Sequence, residues 1–125
     1  MNTEQNENDL FGRCPYFTTQ KVLSGKWALL ILHYLDEQPL RFKELERQLA
    51  PITQTTLTKQ LRTLEDNGLI NRTVYNQIPP KVEYSLSELG LLFKPVLDNL
   101  EVWGKQYISY MESRNINNHE KEKHR

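Results

Sequence analysis

Polar and basic side chains lie between the leucines of segment 53–67, and side chains of these types can form hydrogen bonds and ion pairs with a ligand. Leu57, Leu61 and Leu64 stand at i, i+4 and i+7, which predicts the buried stripe of a helix. The outward side chains able to contact a base edge or a phosphate would then be Gln54, Thr55, Thr58, Lys59 and Arg62. This composition favours a helix that reads duplex DNA. The alternative is the solvated face of an ordinary helix, and the flanking segments favour the first interpretation.

The flanking segments predict a helix-turn-helix followed by a β-wing. Lys43 to Leu49 predicts a short first helix, residues 50–52 a three-residue turn, and Thr53 a cap for the second helix. Two strand-like runs, Leu69 to Tyr75 and Lys81 to Leu86, predict an antiparallel hairpin. In such a motif the second helix enters the major groove of DNA.

Basic charge is concentrated in this region. Between residues 41 and 81 there are seven basic and four acidic residues, about +3, although the whole chain has a formal net charge of zero. Arg41 and Lys43 stand at a predicted helix N-terminus, where backbone N–H groups also favour phosphate. The predicted DNA-contacting set is Arg41, Lys43, Gln54, Thr55, Thr58, Lys59, Arg62, Arg72, Asn76 and Lys81.

Two helices are predicted ahead of this motif. Pro15 suits the first turn of a helix, and Ser24-Gly25 can end that helix and cap the next one. Lys26 to Asp36 is apolar nearly all round, so we expect this second helix to be wrapped by the rest of the domain. Residues 40–42 form a short extended piece before the helix-turn-helix.

A long helix is predicted after the wing, from a cap at Ser87 to about Ser113, with a kink or break at Pro95. Its apolar residues recur at spacings of 4, 3, 4, 3, 4 and 3, a heptad-type seam formed by Leu89, Phe93, Val96, Leu100, Trp103, Tyr107 and Tyr110. The seam could pack within the subunit, but one small domain hardly covers so long a helix. We therefore expect a dimer interface on this helix, formed by Phe93, Val96, Leu100, Trp103 and Tyr107.

The predicted fold is α+β, mainly α: a winged helix-turn-helix with a two-stranded β-wing and a long C-terminal dimerisation helix. Residues 1–13 are predicted to be a disordered tail and residues 114–125 a polar tail. The domain between them, 14–113, comprises dimerisation helices at 14–36 and 87–113, the helix-turn-helix at 43–67 and the wing at 69–86.

The bulk composition narrows the function classes. A chain of 125 residues with 38% hydrophobic residues suits one domain, and its longest apolar run, Trp27 to Leu32, is too short to span a bilayer. A single cysteine and no secretion signal fit the cytoplasm. The sequence has no Gly-rich phosphate loop, no Cys/His metal cluster and no nucleophile beside a base. We therefore expect no enzyme, no metal and no cofactor.

Short motifs throughout the chain occur in an order typical of one protein family. They are Cys14-Pro15, Ser24-Gly25-Lys26-Trp27, Leu40-Arg41-Phe42-Lys43-Glu44-Leu45, Ile52-Thr53-Gln54, Leu57-Thr58-Lys59-Gln60-Leu61-Arg62-Thr63-Leu64-Glu65, Asn67-Gly68-Leu69-Ile70, Arg72-Thr73-Val74-Tyr75, Pro79-Pro80-Lys81-Val82-Glu83-Tyr84-Ser85-Leu86, Leu89-Gly90, Pro95-Val96-Leu97 and Trp103-Gly104. The chain thus resembles the HxlR-type winged-helix regulators, relatives of the MarR group, over residues 14–104. The resemblance implies a dimer in which the first and last helices exchange contacts between subunits, so that Tyr16 and Phe17 of the first helix join the predicted interface. It also implies binding to a pseudo-palindromic operator, usually to repress a nearby gene, although some members activate.

The resemblance also implies a role for Cys14, because several HxlR-like proteins use a cysteine at this position to sense oxidants, quinones or aldehydes. The positive end of the first helix would favour a thiolate there. With no second cysteine, a sensor pairing two different cysteines within one subunit is excluded. Alkylation, a mixed disulfide or a Cys14–Cys14 link between subunits stays open, as does a purely structural cysteine.

Two other functions remain open for a sequence of this kind. A winged helix can serve as a protein-docking module, although its surface should then carry apolar anchors. A small-molecule effector could bind in a pocket between the last helix and the domain body.

Overall fold

A computed structural model of the chain describes the backbone of residues 9–123 and the side chains of residues 9–116. Residues up to Leu92 form one compact unit, and those from Phe93 onward form a second. The first unit contains, in order, α1 (Pro15–Val22), α2 (Ala28–Glu37), α3 (Phe42–Gln48), α4 (Gln54–Asp66), β1 (Ile70–Tyr75), β2 (Lys81–Leu86) and α5 (Glu88–Leu91). The second contains α6 (Lys94–Lys123). The predicted α+β, mainly helical architecture with a two-stranded wing is confirmed.

The core of the first unit is aliphatic and draws on α2, α3, α4 and the base of the hairpin. Its largest fully buried side chains are Ile31, Leu32, Leu45, Leu49, Leu57 and Leu64. The predicted stripe of α4 is confirmed, since Leu57, Leu61 and Leu64 are 0%, 2% and 0% exposed. Burial of this stripe fixes which side of α4 faces solvent.

The hairpin is antiparallel, with Ile70 opposite Leu86 and Tyr75 opposite Lys81. Leu40 adds a one-residue bridge to the free edge of β2, exchanging both backbone hydrogen bonds with Tyr84 at 2.9 and 2.8 Å. Because side chains alternate along a strand, the face that begins with buried Ile70 and Leu86 continues with Arg72 and Tyr84. We call this the inner face and the opposite one the outer face.

The start of α2 differs from the prediction. Ser24 does not cap it: Gly25 has a φ of +108°, in the left-handed region, and a turn carries the chain to Ala28 before α2 begins. The helix is also not wrapped on every side. Its buried residues are Ala28, Ile31, Leu32 and Leu35, on one side of the helix, and Leu29 and Leu30 are exposed.

The helix predicted from Ser87 to about Ser113, with a kink or break at Pro95, is interrupted slightly earlier, at residues 92–93. Ser87 Oγ accepts a hydrogen bond from Gly90 N at 3.0 Å and so caps the four-residue α5. The helix is interrupted after Leu91, and α6 begins at Lys94 with Pro95 in its first turn. A proline there loses no backbone hydrogen bond, because the first N–H groups of a helix have no partner within it. The helix then continues to Lys123, because no Gly or Pro follows Ser113 to stop it.

The predicted N-terminal tail falls mostly outside the described residues, which begin at Asp9. Residues 9–13 form a helical turn in which Cys14 N donates to Leu10 O at 2.8 Å. Among the described residues, no helix is long and apolar enough to cross a membrane.

Candidate nucleic-acid interface

The start of α4 is fixed as its sequence predicts. Thr53 is the N-cap, and its Oγ1 accepts a hydrogen bond from Thr56 N at 3.2 Å. With the leucine stripe buried, Thr55, Lys59 and Arg62 recur at i, i+4 and i+7 on the exposed side. One line along α4 therefore presents a hydroxyl, an ammonium and a guanidinium to solvent.

A cavity of about 470 Å³ lies between α4 and the inner face of the hairpin. Its walls include Arg62 and Thr58 from the helix and Arg72 and Tyr84 from the wing. Two arginines beside one opening can attract a phosphate or bond to guanine. Glu65 lines the same cavity and opposes that attraction.

The outer face of the hairpin carries a separate polar cluster. Lys81 Nζ lies 3.4 Å from Glu83 Oε2 and 4.9 Å from the centre of the Tyr75 ring. A hydrogen bond from the Tyr75 hydroxyl, assisted by Lys81 and Arg41, lowers the pKa of Glu83, and partial desolvation opposes this shift. The same hydrogen bond and the Glu83 charge raise the pKa of Tyr75 above 10.0.

The predicted DNA-contacting residues thus fall into groups. Thr58, Arg62 and Arg72 line one cavity, whereas Lys81 lies on the other face of the hairpin, paired with Glu83. The others with exposed side chains are Arg41 and Lys43 at the start of α3, Gln54, Thr55 and Lys59 on α4, and Asn76 beyond β1.

The predicted dimer contacts belong to both units. On α1, Tyr16 is 87% exposed, whereas Phe17 is half-buried. Phe93 precedes α6 and is half-buried. The members on α6 are all exposed: Val96, Leu100, Trp103 and Tyr107. Trp103 and Tyr107 stack with their ring centres 5.4 Å apart.

Cys14 is half-buried and occupies the N-cap position of α1, directly before Pro15. Its backbone carbonyl accepts a hydrogen bond from Thr18 N at 2.9 Å. The thiol thus belongs to the residue directly before the first turn of α1.

Sequence reasoning missed two polar features. Gln60 lies on the buried side of α4, 8% exposed, three residues after Leu57 and four before Leu64. Its spacing relative to the leucines could have indicated this position. The Tyr75–Glu83 hydrogen bond was also missed, because the charge count over residues 41–81 ends before Glu83. The described residues contain no group of three or more His, Cys, Asp or Glu that could hold a metal ion.

Comparison with known proteins agrees with this architecture. A family model described as HxlR-like helix-turn-helix matches residues 22–112. The HTH-type transcriptional regulator YdeP of Bacillus subtilis strain 168 is 45% identical over 100 residues, which cover 80% of this chain and 78% of YdeP.

Two solved structures are similar over most of the chain. The HTH-type transcriptional regulator YtcD, also known from Bacillus subtilis, is 48% identical with a TM-score of 0.73, covering 76% of this chain and 97% of that one. The redox regulator HypR in its reduced form is 40% identical with a TM-score of 0.75, covering 79% and 98%. The expectations of a regulator and of no enzyme are confirmed by these relationships. The chain belongs to the HxlR-like helix-turn-helix family of DNA-binding transcriptional regulators.

Proposed function

We propose that the chain binds a pseudo-palindromic operator as a homodimer in the cytoplasm and represses a nearby gene. In this proposal α4 of each subunit lies in the major groove, with Thr55, Lys59 and Arg62 toward the bases and phosphates. The wing contributes Arg72 and Asn76 beside the groove, and α6 provides the main contact between subunits.

The observation that carries this proposal is the division of α4 into two sides. Its leucines are buried, its exposed line is polar and basic, and its acids, Glu65 and Asp66, occur only in the last turn. A helix of 13 residues is about 20 Å long, and its N-terminal half fits a major groove about 12 Å wide. A protein-docking role has less support, because the described side chains on the exposed line of α4 include no aromatic or leucine anchor.

The test is Arg62→Ala, measured by fluorescence anisotropy on duplex DNA from the region upstream of the chain's own gene. Loss of a base or phosphate contact should weaken binding by about 1–3 kcal/mol, roughly 5- to 150-fold. Binding by the parent should also fall steeply with salt, because bound counterions are released.

Lys105→Ala is the matched control, since it removes one positive charge from an exposed position on α6, where Lys105 pairs with Glu101 at 3.0 Å. It should leave the affinity unchanged. If Arg62→Ala binds as tightly as Lys105→Ala, or if the parent binds no upstream DNA at all, the proposal is wrong.

We further propose that Cys14 makes the regulator responsive to oxidants or electrophiles. Two considerations support this role: HypR is a redox regulator, and Cys14 lies at the first turn of α1, where a new substituent would press on that helix. Modification would favour a different dimer geometry and so change the separation of the two α4 helices.

The test of this role uses diamide, which oxidises two thiols to a disulfide and is itself reduced. The partner thiol would be Cys14 of a second subunit or an added small thiol. Operator affinity of the parent should change on treatment and recover with dithiothreitol. Cys14→Ser should not respond, and an equal response by this variant would contradict the role.

A further inference from the structure

Two side chains, Gln60 on α4 and Asn67 at its C-cap, bind the backbone at the end of α1 and in the segment that follows. Gln60 Nε2 donates a hydrogen bond to Ser24 O at 3.2 Å, and Asn67 Nδ2 donates one to Val22 O at 3.3 Å. The two donors are seven residues apart, about two helical turns, and so lie on the same side of the helix. We call these two hydrogen bonds, together with Gly25, the α1–α4 clamp.

Gln60 is the member of the clamp with the least freedom. Its side chain is buried, and a buried amide is destabilising when it has no hydrogen-bond partner. Gly25 makes room for it, because a Cβ built on Gly25 would collide with the Gln60 amide. Gly25 also has a positive φ, which a larger residue rarely adopts. The turn and the glutamine therefore fit each other closely.

Apolar packing of α1 against α4 is incomplete, although Phe17 and Val22 are half-buried. None of the eight residues of α1 is fully buried. A cavity of about 420 Å³ is lined by Phe11, Phe17 and Lys21 on one side and by Thr63 and Asn67 on the other. Directed hydrogen bonds therefore add to incomplete side-chain packing in setting the distance between the end of α1 and α4.

We propose that Gln60 is a positioning residue for DNA binding: through Ser24 and Gly25 it fixes the angle and height of α4 relative to α1. This inference rests on the proposed function, because α1 carries Tyr16 and Phe17, two predicted dimer contacts. The clamp then sets how far the reading face of α4 stands from the dimer axis. In an operator that distance corresponds to the spacing between half-sites.

The decisive variant is Gln60→Met, which keeps the length of the side chain and removes the amide. The matched control is Gln38→Met, the same replacement at an exposed position after α2. Footprinting of the region upstream of the chain's own gene first locates the operator. The probes are duplexes of this operator with one base pair inserted or deleted between the half-sites, together with a single half-site duplex.

The parent and Gln38→Met should bind the duplex with the preferred half-site spacing about tenfold or more tightly than duplexes one base pair longer or shorter. Gln60→Met should bind the single half-site as the parent does, within about twofold, but lose most of this preference among full sites. A residue that merely stabilised the fold would weaken all duplexes alike and leave the preferred spacing unchanged. An unchanged spacing profile in Gln60→Met would therefore overturn the proposal.

Amide hydrogen exchange tests the clamp without DNA. The N–H groups of Leu23 and Ser24 bond to Thr19 O at 2.9 Å and Lys21 O at 3.2 Å, at the end of α1. They should exchange several-fold faster in Gln60→Met than in Gln38→Met, and equal rates would overturn the clamp. If exchange accelerates but the parent binds no duplex, the proposed function has failed and the positioning role fails with it, whereas the clamp itself stands.

Discussion

Helices α4 and α6 both carry apolar residues at spacings of three and four, but only one of these stripes is covered by its own chain. The stripe of α4 is buried to 2% exposure or less. On α6, which is about 45 Å long, Val96, Leu100, Trp103 and Tyr107 are between 39% and 62% exposed. The same spacing of apolar residues therefore predicts a helix face that becomes buried, but it does not show whether the same chain or another chain covers that face. A row of exposed aromatic and aliphatic side chains of this length is typical of an interface.

The largest effect is expected where the stripe is covered. Leu64→Ala should lower the free energy of unfolding by about 2–5 kcal/mol, because it leaves a cavity in a core whose total stability is about 5–15 kcal/mol. Chemical denaturation followed by circular dichroism measures the change. Val102→Ala, at an exposed position of α6, is the control and should cost far less. Equal losses would contradict the difference between the two helices.

A second effect should be confined to the exposed seam. Trp103→Ala should weaken self-association by about 30-fold, since a central aromatic at an interface typically contributes about 2 kcal/mol or more. Sedimentation equilibrium measures the association, and Val102→Ala again serves as control, one residue along and off the seam. The fold of the first unit should be unaffected. A parent that is monomeric at micromolar concentration, or a Trp103→Ala variant that associates like it, would show that α6 is not a dimer face.

The sequence predicts some parts of this comparison and not others, for identifiable reasons. The leucine stripe, the Thr53 cap and the wing follow from local patterns, each of which involves residues a few positions apart. The break before α6 was located only approximately, because a proline marks the first turn of a helix as readily as a kink. The environment of Gln60 depends on Ser24, 36 positions away, and a contact at that separation leaves no periodic trace in one sequence.

A third test concerns the start of α4, which must be fixed if its two sides are to face in definite directions. Thr53→Ala removes the acceptor for Thr56 N and should lower the free energy of unfolding by about 1 kcal/mol. Thr55→Ala, two residues later on the exposed side, is the control for stability and should change it by only a few tenths of a kcal/mol. Thermal unfolding compares the two, and identical midpoints would contradict the cap.

The smallest effect separates two kinds of exposed aromatic residue. Trp103 and Tyr107 stack on each other, whereas Tyr75, though also exposed, directs its hydroxyl to Glu83 and its ring to Lys81. Tyr75 thus has partners within its own chain, and Tyr75→Phe should leave self-association unchanged.

The lowered pKa of Glu83 favours the folded state above the ordinary glutamate value near 4.5, and this contribution is lost as pH falls through the lowered value. The raised pKa of Tyr75 favours the folded state below 10.0, and that contribution is lost as pH rises through the raised value.

Both groups remain in contact with solvent, so the effect on stability should be slight and is better read from the titration itself. In a carboxyl NMR titration, Tyr75→Phe should move the midpoint of Glu83 upward, toward its ordinary value, because the hydrogen bond is the largest cause of the shift. Thr73→Val, directly opposite Glu83 in the hairpin register, should leave the midpoint in place. Added salt should shift the midpoint only in part, since it screens Lys81 and Arg41 but not a hydrogen bond. If Glu83 titrates identically in the parent and in Tyr75→Phe, the Tyr75 hydroxyl does not bind Glu83, and the contrast between Tyr75 and the aromatic residues of α6 loses its main support.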